Sequence, residues 1–161
     1  MDAVYTYISV LVDTLQKKKN ILEKLYVGTS QQKEILQSDK FDEEAFQKTI
    51  IHKGMLLGEL EQLDKGFEQV YERVALAMKH NKDMYKNEIL KAQQLVQEVM
   101  DLSVCIQAME EQNKERFPAA VMEKRKQLGG IRNNSRMVNN YYRSMPNMHQ
   151  TGQSYFLDKK K

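Results

Sequence analysis

Apolar side chains recur along the first forty residues at Val4, Ile8, Leu11, Leu15, Leu22 and Leu25. The spacing alternates four and three, the heptad repeat that keeps one seam of a helix against a partner. Lys18, Thr29 and Gln32 fall on the same seam as polar layers that cost stability but fix register, and Gly28 marks a candidate kink. This pattern predicts a first helix over about 3–37. Ser38 to Lys40 breaks it. Asp42 then has the chemistry of an N-cap, and Phe41 and Phe46 stand at the N′ and N4 positions of a hydrophobic staple. A second helix is predicted over about 42–80, with a seam through Phe46, Ile50, Lys53, Leu57, Leu60, Asp64, Phe67, Tyr71, Val74 and Met78. Asp83 can cap a third, over about 84–115, whose seam uses Tyr85, Ile89, Ala92, Val96, Val99, Ser103 and Ile106.

Pro118 reads as a kink or a fresh start, because proline cannot donate the backbone hydrogen bond of a helix interior. The apolar alternation resumes through Phe117, Val121, Leu128, Ile131, Val138 and Tyr142, predicting an amphipathic C-terminal helix over 116–145 that Gly129 and Gly130 weaken. Residues 146–161 have no period and read as a flexible tail. The fold class expected is all-α: an elongated antiparallel helical bundle or coiled coil, with a body of three long helices over 1–115, each about 45 Å long at about 1.5 Å per residue.

Composition agrees with helices, since the 161 residues include only seven Gly and two Pro. The charge is divided. Ten basic and two acidic residues from Arg116 onward give that segment +8, against −5 for what precedes it and +3 overall. The single Cys105 excludes a disulfide framework, and its place in an apolar stripe predicts a buried thiol. Neither a membrane span nor a secretory signal is expected. Met55, Met78, Met100 and Met109 are expected to fill the core.

Motifs for catalysis are missing: no Gly-rich phosphate loop, dinucleotide fingerprint or nucleophile elbow occurs. His52, His80 and His149 lie far apart and lack a Glu three residues upstream, so they read as solvated or capping side chains and no metal is expected. Glu59, Glu61, Glu68, Glu72, Glu110 and Glu111 read as solvating charges on exposed helix faces. Gly54 and Gly58, four apart, suggest close approach of two helices. The basic residues of the C-terminal segment do not form a continuous phosphate-tracking stripe, so nucleic acid is not an expected partner.

Five stretches carry a resemblance. They are Leu11 to Leu25; Asp42-Glu43-Glu44-Ala45-Phe46; Lys53 through Val74, with Leu56-Leu57, Leu60, Leu63-Asp64 and Gly66-Phe67; Ile106-Gln107-Ala108-Met109-Glu110-Glu111-Gln112-Asn113; and Ser154-Tyr155-Phe156-Leu157-Asp158-Lys159-Lys160. In their order, and in a chain of this length, they resemble the FlgN-type flagellar export chaperones. The resemblance implies a cytoplasmic, cofactor-free binding protein without catalysis. Such a protein holds the C-terminal segment of hook–filament junction proteins and delivers it to the cytoplasmic domain of the type III export gate. It further implies that the C-terminal segment binds the partner, here through Val121, Leu128, Ile131, Val138 and Tyr142, and that an aromatic residue docks to the gate, with Tyr141, Tyr155 and Phe156 as candidates. A second copy of the chain is a further candidate partner. The rival reading is a structural coiled-coil adaptor whose basic tail meets an acidic partner or nucleic acid.

Overall fold

A computed structural model describes residues 3–80, 83–128 and 135–144, and every regular element among them is a helix. The chain runs through α1 (Ala3–Gln37), α2 (Glu43–His80), α3 (Lys86–Leu128) and α4 (Ser135–Ser144). The first three, of 35, 38 and 43 residues, are about 50 to 65 Å long at about 1.5 Å per residue. They form an all-helical bundle in which α1 lies closely along both α2 and α3. No described helix is long and apolar enough to cross a membrane.

The start of α2 shows how the local sequence builds the turn. Asp42 Oδ1 accepts a hydrogen bond from the Ala45 amide at 3.0 Å, satisfying one of the orphan donors of the first turn. Phe41 and Phe46 meet with ring centroids 5.8 Å apart, closing the staple.

The core is stacked in three apolar tiers along the bundle. In the first, Ile8, Leu11 and Leu15 of α1 meet Phe67, Tyr71 and Val74 of α2, together with Leu95 and Val96 of α3. The middle tier joins Leu22 and Leu25 to Leu56, Leu60, Val99 and Ile106. The third is aromatic: Phe46 stacks on Phe117 at 5.0 Å, and Val121, Val138, Tyr141 and Tyr142 complete it. The order of contacts makes α2 antiparallel to α1 and α3 parallel to α1.

The structure departs from five of these expectations. α3 does not stop near Glu115 but continues through Pro118 to Leu128. Pro118 is exposed, so the hydrogen bond it removes is on the solvent side, while its neighbours Phe117 and Val121 are buried in the aromatic tier and hold the helix in line. The segment expected as one helix over 116–145 is therefore the end of α3 followed by the separate, ten-residue α4. Gly28 does not interrupt α1. Cys105 is exposed, because the neighbouring Ile106 is the residue turned inward; Met55 is 65% exposed for the same reason, standing off the α2 seam. The tail expected over 146–161 and the Gly129-Gly130 pair lie outside the described residues.

Candidate functional site

Between the middle and aromatic tiers, seam positions on all four helices carry polar side chains. Lys53 of α2 and Glu110 of α3 are both fully buried. The Lys53 ammonium donates to Glu110 Oε1 and to Gln32 Oε1 of α1. The same Glu110 oxygen accepts from Thr29 Oγ1 of α1 at 2.8 Å and from the Tyr141 hydroxyl of α4 at 3.0 Å. Gln32 Nε2 donates to Thr49 Oγ1 at 2.9 Å, and Asn113 Nδ2 donates to the Thr29 carbonyl at 3.1 Å. The Lys53 Nζ also stands 4.6 Å from the centre of the Tyr141 ring.

Burial dominates the electrostatics of this cluster. It pushes the Lys53 ammonium down to about 8, despite the Glu110 carboxylate beside it. Burial, reinforced by the Glu110 charge, pushes the Tyr141 and Tyr142 phenols far above their usual range. A buried ion pair contributes little net stability once desolvation is counted, but stranding one partner costs about 3–5 kcal/mol, so the pair selects a single register of the helices. A second polar pair, Lys18 Nζ to Asp64 Oδ1 at 3.0 Å, acts in the same way nearer the first tier.

The pair is enclosed, and a surface open to a ligand lies beside it. A groove of about 950 Å³ runs between α2 and α4. Ile50, Ile51, Gly54, Leu57 and Gly58 line the α2 side, and Met137, Asn140, Tyr141 and Ser144 line the α4 side. Toward the C-terminal half of α2 it ends at Glu61, Asp64 and Lys65. A Cβ built on Gly54 or Gly58 would meet nothing within 4 Å, so this pair does not bring two helices together, as the sequence suggests, but leaves room above α2.

The expected binding residues are placed as follows. Val121, Val138 and Tyr142 belong to the aromatic tier, with exposures of 5%, 1% and 6%. They face the body rather than solvent. Tyr141, expected to dock to the gate, is buried because its hydroxyl is tied to Glu110. Leu128 is the last residue of α3; Ile131, Tyr155 and Phe156 lie outside the described residues. No protein-family model matches this chain, nor does any curated protein or solved structure.

Glu110, Asn113 and Thr49 of the polar cluster escape a reading of the sequence. Glu110, read as a solvating surface charge, is fully buried, and so is Asn113. The signal was present: continuing the α3 seam past Ile106 by four, three and four residues gives Glu110, Asn113 and Phe117. Among the described residues, no group of three or more His, Cys, Asp or Glu side chains is placed to hold a metal ion.

Proposed function

We propose that this chain is a non-catalytic export chaperone of the FlgN type, which holds an amphipathic segment from the C-terminus of a hook–filament junction protein in the cytoplasm and presents it to the export gate. The observation that carries the reading is the groove between α2 and α4. Its apolar walls and vacant glycine face suit one helical or extended segment, in the helix-in-groove mode that reads apolar side chains at i, i+3, i+4 and i+7. The three long helices act as a coiled-coil-type scaffold that keeps the groove straight, with Val121, Val138 and Tyr142 seating α4 as one of its walls.

Calorimetric titration with a C-terminal peptide of a junction protein tests this. Binding in the micromolar range is expected for the native chain. The double variant Gly54→Leu, Gly58→Leu fills the groove from positions where the backbone has room, so it should fold normally and bind about tenfold more weakly, or about 1.4 kcal/mol. Equal affinity in both proteins would move the binding surface elsewhere.

A further inference from the structure

We propose that the chain's own C-terminal segment, Met145 to Lys161, is the resident occupant of the groove between α2 and α4, and so competes with an incoming partner there. The inference rests on the segment-binding reading only for the competition; the docking itself rests on geometry, chain length and charge.

Val138 packs in the aromatic tier with Phe46 and Phe117, and three residues later Tyr141 reaches the Lys53–Glu110 layer, so α4 advances in the same direction as α2. Its last residue, Ser144, lines the groove. The chain therefore leaves α4 inside the groove and aimed along it.

Length is sufficient. Ile50 to Lys65, the stretch of α2 that borders the groove, spans about 22 Å at about 1.5 Å per residue. Seventeen residues follow Ser144, and an extended chain covers up to about 3.3 Å for each of them. The ten residues before Tyr155 are enough to reach any part of the groove.

Chemistry then matches in order. The segment offers Tyr155-Phe156-Leu157 and, after Asp158, three lysines at its end. In the direction α4 points, the α2 face offers Ile51, Gly54 and Gly58 and then Glu61, with Glu68 and Glu72 exposed on the same helical face one and two turns beyond Lys65. Apolar followed by basic on the segment meets apolar followed by mainly acidic on α2. Covalent tethering makes the encounter intramolecular, at an effective concentration that reaches millimolar for short connections, so modest contacts suffice.

The test uses the full chain in a Cys105→Ser background with Lys159→Cys carrying a nitroxide spin label. The amide signals of Gly54 and Gly58 should lose about half their intensity or more relative to the reduced label, and Phe156→Asp in the same labelled chain should restore them. Broadening that is uniform over the protein, or unchanged by Phe156→Asp, overturns the proposal. So does equal broadening when a labelled, isotope-free copy is mixed with an unlabelled, isotope-enriched one, because a second molecule would then supply the segment. These measurements contain no partner, so their failure leaves the segment-binding reading standing. In calorimetry, Phe156→Asp should raise affinity for the junction-protein peptide about tenfold if the segment occupies the groove nine-tenths of the time. Unchanged affinity overturns the competition. If the peptide binds neither form while the broadening persists, the segment-binding reading falls and the docked tail remains.

Discussion

Gly28 of α1 lies against the aliphatic stem of Lys53: a Cβ there would stand 3.1 Å from Lys53 Cγ and 3.3 Å from Cδ. The stem cannot move aside, because Lys53 is fully buried and its ammonium is held by Gln32 and Glu110. Glycine is thus required at this point for close approach of α1 to a charged side chain that must cross the bundle.

From that relationship, Gly28→Ala should destabilise the protein by about 1–3 kcal/mol, the cost of overpacking, despite its better helix propensity. Gly54→Ala, Gly58→Ala and Gly66→Ala, where an added Cβ meets nothing within 4 Å, should each stabilise by up to about 1 kcal/mol. Urea unfolding of the four variants checks this, and a stabilised Gly28→Ala protein would show that the Lys53 stem gives way.

Lys53→Met should cost about 3–5 kcal/mol by leaving Glu110 buried without its counter-ion, and adding Glu110→Gln should recover most of the loss. The pH dependence follows from the same pair. Unfolded, Lys53 holds its proton up to the usual 10.5, whereas in the folded protein burial lowers it to about 8. Between those values the unfolded state binds more protons, so stability rises with pH: the penalty is complete below pH 8 and is relieved toward 10.5. Native protein should therefore gain stability relative to Lys53→Met, Glu110→Gln between pH 7.5 and 9.5. Parallel curves over that window would refute the assignment.

Above about pH 10 the sign reverses, because Tyr141 and Tyr142, raised by burial, ionise first in the unfolded chain. Tyr141→Phe should lessen that alkaline loss. At neutral pH it removes one donor to a buried carboxylate and should cost about 1.5–3 kcal/mol, with the amides of α4 losing hydrogen-exchange protection first.

Val138→Asp places a carboxylate at a position 1% exposed in the aromatic tier, so α4 should leave its seat while α1 to α3 stay folded around the two other tiers. Loss of near-ultraviolet tyrosine ellipticity with most far-ultraviolet helicity retained is the expected signature. Complete unfolding would mean that the aromatic tier holds the whole body together.

The long helices were legible because heptad spacing and the Phe41, Asp42 and Phe46 signals are local physics. Even the polar seam positions Lys18, Lys53 and Asp64 could be placed from one sequence, although their partners could not. The end of α3 was hidden because a proline is tolerated wherever its missing donor faces solvent and its neighbours are buried, and neither condition is written in the residues around Pro118. Glu110 was missed for a related reason. Its spacing from Ile106 puts it on the α3 seam, but nothing in the residues around it names the lysine, threonine and tyrosine that compensate its charge from three other helices. The groove was illegible altogether: Gly54 and Gly58 signal room, and only tertiary structure says whether a helix already fills it.

The tiered core also constrains how a molecule of this design can change length. An insertion of seven residues preserves the phase of any one helix, yet placed in α1 between Leu15 and Leu25 it would carry Thr29 and Gln32 about 10 Å past Lys53 at about 1.5 Å per residue. The ammonium would then face a storey of leucines. Growth or shortening is therefore permitted only as matched insertions or deletions in α1, α2 and α3 at the same level, so chains of this architecture should differ in length by whole floors shared among three helices, with the charged floor kept intact.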